Sequence, residues 1–83
     1  MNKILEQIHF LTTDMALAGT IVAVGYPLDH LENLDQKKVT FVFRKEPNLD
    51  AIVQSFWNDS LTVNPKRYFY ALKEIKSRLY NEK

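Results

Sequence analysis

The chain has 83 residues and a mass of 9.7 kDa, which is room for one domain spanning residues 1–83. With 46 % hydrophobic and 25 % charged residues it has the composition of an ordinary globular domain, which excludes disorder, collagen-like repeats and a membrane span. It contains no cysteine, so disulfides, thiolate catalysis, zinc–thiolate sites and iron–sulfur clusters are excluded, and the net charge of +1 rules out a strongly polyanion-seeking chain.

That small net charge hides a gradient. Residues 1–36 sum to −4, residues 37–63 to +1 and residues 64–83 to +4. No targeting segment is visible. Lys3 is the only positive charge between Met1 and Leu11, and Glu6 and His9 interrupt the apolar residues there. The longest apolar run, Met15 to Val24, is about half the length that a bilayer span needs. The expectation is a soluble, cytoplasmic protein without membrane association.

In chain order, His9 to Leu11 reads as a short strand entering Thr12-Thr13-Asp14, although Ile4, Leu5, Ile8 and Leu11 also keep helical spacing. Thr13 is the expected N-cap of a helix over Met15–Val24, with Asp14 adding favourable charge to its first turn. Gly25 and Pro27 stop that helix, and its nearly all-round apolar surface means burial. Ala16, Gly19, Thr20 and Ala23 give it a small-residue side that another backbone can approach closely. A buried strand over Thr20–Val24 is the alternative, because Ile21 and Val22 are β-branched.

Tyr26–Leu31 and Lys38–Arg44 read as an antiparallel pair joined by Asn33-Leu34-Asp35-Gln36. In the second strand Val39, Phe41 and Phe43 point one way, Thr40 and Val42 the other. Pro47 suits the first turn of the next helix, in which Leu49, Ile52, Val53 and Phe56 recur at helical spacing and Asn58-Asp59 ends the run. Leu61-Thr62-Val63 reads as a very short strand. Asn64 and Pro65 then cap and open a last helix whose inner stripe is Tyr68, Ala71, Leu72, Ile75 and Leu79. The order is (β)-α-β-β-α-(β)-α: a single small α+β domain, a small antiparallel sheet with helices packed against it. Val39, Phe41, Phe43, Ile52, Phe56, Leu72, Ile75 and Leu79 are expected in the core, with much of Met15–Val24.

The landmarks form a series: Thr13-Asp14, a short Ala-rich helix ending in Gly25, Thr40-Phe41-Val42-Phe43, Phe56-Trp57-Asn58, Val63 with Pro65, and Leu72-Lys73, Lys76 and Leu79-Tyr80. In that order the chain resembles a family of small domains of unknown function found in bacterial and bacteriophage genomes. The likeness covers about residues 12–81. It implies a stand-alone compact domain, often encoded by phages or mobile elements, and brings no activity or catalytic residue.

No constellation for chemistry stands out. Asp29, His30 and Glu32 are adjacent, but on a strand Asp29 and His30 project from opposite faces, and no metal site is expected. Ser55, Ser60 and Ser77 occupy no nucleophile elbow, and Gly19 and Gly25 make no phosphate loop. Neither enzymatic activity nor a cofactor is expected.

The last helix is the most informative segment. At about 100° per residue, Lys66, Tyr70, Lys73, Lys76 and Tyr80 share the face opposite the inner stripe, with Phe69 at the flank and Arg67 nearby. Lysines among aromatics suit a protein interface with a charged rim, or phosphate neutralisation with base stacking. The plainer reading is that Phe69 and Tyr80 complete the core edge and Tyr70 is a lone exposed ring. Trp57, at the edge of its helix's apolar stripe, is either core edge or a stacking surface. Ten aromatics exceed what one small core hides. The expectation is therefore a non-enzymatic interaction module, forming a homodimer or docking on a larger protein through Trp57, Lys66, Arg67, Phe69, Tyr70, Lys73, Lys76 and Tyr80. One alternative is a nucleic-acid-binding accessory protein that uses the last helix. Another is a small oligomer that sequesters a nucleotide, with Trp57 or Tyr70 stacking and Lys73 or Arg67 on phosphate.

Overall fold

A computed structural model describes residues 8–35 and 38–81. Among the described residues the elements are β1 (His9–Thr12), α1 (Met15–Ala23), β2 (His30–Asp35), β3 (Lys38–Arg44), α2 (Leu49–Trp57) and α3 (Pro65–Asn81). The three strands form one antiparallel sheet in the order β1-β3-β2. This is the α+β architecture expected, with the inserted strand missing. Leu61–Val63 runs as irregular chain.

Register sorts the sheet into two faces. Phe10 pairs with Phe43, and Phe41 with both Thr12 and Leu31, so these residues share the face covered by helices. Phe41 and Phe43 join Leu17, Ala18, Ile21, Leu28, Leu49 and Ile75 in the buried core. On the opposite face Val42 lies between Leu11 and His30, and Thr40 beside Glu32. Val42 is fully buried there.

The second expected strand is displaced. Tyr26 to Asp29 is irregular and the strand starts at His30, so Asn33, Leu34 and Asp35 are ladder residues with a register shift between Glu32 and Asp35. Gln36, the last residue of the expected turn, lies outside the described residues. The displacement follows from the end of α1. Gly25, with φ of 117°, donates its N–H to the Val22 carbonyl and Tyr26 donates to Ile21, a Schellman closure that occupies Tyr26. Leu28 then drops into the core, and the chain rejoins β3 at Asp29, whose N–H donates to the Val42 carbonyl at 2.9 Å.

Helix α1 sits centrally and touches β1, α2 and α3, which explains why it is apolar all round. The strand alternative for Thr20–Val24 is not adopted. Its cap is Asp14 rather than Thr13: Asp14 Oδ1 accepts from the Leu17 N–H at 3.0 Å, while Thr12 Oγ1 accepts from the Asp14 N–H. The small-residue side does bring α3 close. A Cβ placed on Gly19 would lie 2.8 Å from Leu72 Cδ2.

Helix α2 begins at Leu49, so Pro47 precedes the helix instead of opening it, and the cap is Asn48. Leu49 is buried, whereas Ile52, Val53 and Phe56 are half-buried. Val39, Leu72 and Leu79 are likewise half-buried rather than fully buried, because the domain has a single core layer and these positions lie at its edges. Helix α3 is capped as expected: Asn64 Oδ1 accepts from the Arg67 N–H, and the Asn64 carbonyl accepts from the Tyr68 N–H. Among the described residues no helix is long and apolar enough to cross a membrane.

Candidate interaction surface

Helix α3 buries Ala71 and Ile75 against the core and turns its other side outward. Phe69 is 58 %, Tyr70 61 % and Tyr80 73 % exposed. Phe69 and Tyr80 therefore do not complete the core edge. Lys66, Lys73 and Lys76 are exposed on the same face. Lys73 Nζ sits 5.5 Å from the Phe69 ring centroid and 6.0 Å from that of Tyr70, so one ammonium is drawn over two rings whose centroids are 6.0 Å apart. Arg67 is exposed too, at the flank near the cap. The outer face thus combines an aromatic cluster with a row of lysines.

Beside its far end lies a cavity of about 520 Å³ lined by Leu31, Val39, Leu79 and Tyr80, with Lys76 and Glu32 among its polar residues. It joins the sheet edge at β2 to the last turns of α3.

Trp57 belongs elsewhere. It ends α2, is 57 % exposed, and meets Phe56 edge to face at 4.9 Å. Asn58 and Asp59 close the helix by the same device as Gly25. Asp59 takes a φ of 59°, its N–H donates to the Phe56 carbonyl, and the Ser60 N–H donates to Ser55. A second cavity of about 520 Å³ is lined by Phe56, Trp57, Tyr68 and Leu61, together with Asp14 and Asp59. The fold thus groups Trp57 with the inner-side Tyr68, apart from the Lys73–Tyr80 face.

A third polar feature lies on the sheet face away from the helices, where sequence reasoning placed no site. His30 Nδ1 bonds Asp29 Oδ2 at 2.6 Å and His30 Nε2 bonds Glu32 Oε2 at 2.8 Å. His9 stands edge-on to His30 at 5.9 Å, with its Nε2 3.8 Å from Asp29 Oδ2. The opposite-faces expectation fails because Asp29 precedes β2 and is free of its alternation. The His30 hydrogen bond holds the Asp29 carboxyl below its ordinary value. The Asp29 hydrogen bond, seconded by Glu32, raises His30, against a smaller opposing effect of burial. Both ring nitrogens face carboxylate oxygens, an arrangement that suits the doubly donating imidazolium. Among the described residues no group of three or more His, Cys, Asp or Glu is placed to hold a metal ion.

Arg78 is the other residue that sequence reasoning missed. Its Nη1 donates to the Leu28 carbonyl at 2.9 Å and its Nη2 to the Asp29 carbonyl at 3.4 Å. This ties α3 to the irregular segment before β2. The available signal was its position beside the inner stripe, one residue from Leu79.

The sequence pattern of the family described as "Domain of unknown function (DUF5659)" matches residues 7–81, nearly the whole chain and including β1, and the chain belongs to that family. No curated protein and no solved structure matches the chain.

Proposed function

We propose that this member of the family is a non-enzymatic docking module that binds another protein through the outer face of α3. The observation that carries this reading is the exposed cluster of Phe69, Tyr70 and Tyr80 set among Lys66, Lys73 and Lys76. Large rings in a charged surround are the composition of an interface centre with its rim. Pairing two copies of this face across a twofold axis brings six ammonium groups together, so like charge opposes the homodimer and favours a different partner. Binding to single-stranded nucleic acid needs open ring faces, and Lys73 covers one side of both Phe69 and Tyr70. The proposed setting is the cytoplasm, with the chain encoded by a bacterium, a phage or another mobile element.

Site-specific photo-crosslinking tests the reading. A photoreactive phenylalanine analogue at position 70 or 80, in cells that make the protein, should trap one discrete heavier adduct, and the same probe at exposed Gln54 should not. An adduct of twice 9.7 kDa would make the face a self-interface instead. No adduct at either position would refute the docking role.

A further inference from the structure

The cavity beside Trp57 has one sign of charge and aromatic walls. Phe56, Trp57 and Tyr68 line it, Asp14 and Asp59 contribute two carboxylates, and among its described lining residues there is no Lys, Arg or His. Asp59 Oδ atoms accept no protein hydrogen bond among the described residues, and Asp14 uses Oδ1 on the Leu17 N–H, which leaves Oδ2 free of that bond. The carboxyl end of α2 adds partial negative charge at Asp59, where the helix closes. The opposing positive end of α1 is already answered by the Asp14 cap. Trp57 turns an edge-to-face contact to Phe56 and leaves more than half its surface open. Ring faces attract cations through their quadrupole, and nearby carboxylates strengthen that attraction where water is partly excluded. A volume of about 520 Å³ is ample for a methylated ammonium headgroup and lies within the range of small-ligand sites.

We infer that this cavity binds an alkylated ammonium group, held against Trp57 and Tyr68 and balanced by Asp59 and Asp14. The group is either a small free cation or the methylated lysine side chain of a protein. The carboxylates also make the site unsuited to a phosphate, so nucleotide sequestration against Trp57 is not supported by this geometry. The inference stands apart from the α3 face, which lies on the other side of that helix.

Trp57 is the chain's single tryptophan and reports on the site directly. Its emission is titrated with choline, with the neutral carbon analogue 3,3-dimethylbutan-1-ol, and with sodium chloride at matched ionic strength. Choline should give a saturable change, at least about threefold tighter than the neutral analogue, as expected for a cation over an accessible ring. Sodium chloride should give none. Asp59→Asn keeps the backbone conformation open to the residue and should weaken choline at least about threefold without changing its response to the neutral analogue. Peptides carrying trimethyllysine or unmodified lysine form the second arm. Saturation by the former alone, tighter than choline, assigns the site to a protein side chain, and choline at least as tight assigns it to a free cation. Equal affinity for choline and its neutral analogue, or a response that salt reproduces, overturns the inference. An unaltered choline affinity in Asp59→Asn overturns the role of that carboxylate, and thermal melts of the variant guard against a folding artefact.

Discussion

Gly19 is where α1 and α3 come closest, and replacing it with alanine sets two effects against each other. Alanine in a helix interior is favoured over glycine by about 1 kcal/mol. The added Cβ, however, would lie 2.8 Å from Leu72 Cδ2 and 3.3 Å from Tyr68 Cε1, both inside ordinary contact. Overpacking of this kind costs about 1–3 kcal/mol. Leu72 is only half-buried and can turn part of the way out, so the lower half of that range applies. The net expectation for Gly19→Ala is a loss of about 0–1 kcal/mol, or a fall of at most about 8 °C in melting temperature for a domain of this size. The cause is separable by a double-mutant cycle. In a Leu72→Ala background the offending methyl is gone and Gly19→Ala should become stabilising by about 0.5–1 kcal/mol. Circular-dichroism melts and urea titrations of the four proteins supply the comparison. If Gly19→Ala stabilises the wild type and the Leu72→Ala protein equally, α1 and α3 do not approach at this glycine and the packing described is wrong.

Phe41→Ala and Phe43→Ala remove rings that are 3 % and 0 % exposed, and each should cost about 3–5 kcal/mol by chemical denaturation. An unchanged midpoint would mean that the faces of β3 are inverted. Asp59→Gly should stabilise by about 1 kcal/mol, because glycine accepts the φ of 59° without a Cβ penalty and removes a negative charge from a helix C-terminus. The same variant should lose choline affinity. The Asp29–His30 pair should shape stability against pH. His30 is raised above 6.5, so its contribution is complete below that pH and fades as pH rises through the raised value. Asp29 is lowered below 3.8, so its contribution is complete above that pH and fades as pH falls through the lowered value. Thermal melts should therefore show a plateau between these limits and a decline on either side. Its amplitude is at most about 1 kcal/mol, since both side chains are about one-third exposed and solvent screens them. His30→Gln should abolish the alkaline decline, and a flat wild-type profile above neutrality would remove the pair as a source of stability.

Local chemistry was legible in the amino-acid order. The alternation from Val39 to Phe43, the Asn64–Pro65 start of α3, the glycine closure after α1 and the apolar burial of α1 all depend on neighbours a few residues away. Backbone sterics and unsatisfied amides act at that range. The lysine–aromatic face of α3 was readable for the same reason, because helical geometry alone places those residues together. What tertiary structure decided is the rest. Whether Asp14 or Thr13 caps α1 turned on which oxygen the incoming strand leaves within reach of Leu17. The start of β2 moved to His30 because Leu28 gains more from the core than from a ladder position. Phe69 and Tyr80 stand exposed because the single core layer is filled by Ala71 and Ile75, a limit of volume that periodicity does not express. The contact of His9 with Asp29 and His30 required β1 and β2 to flank β3, and the cavity at Trp57 required residues from α1, α2 and α3 and the loop before α3 to converge. Side-chain pattern governs which elements form, but long-range packing, with its competition for one small core, governs which side chains meet.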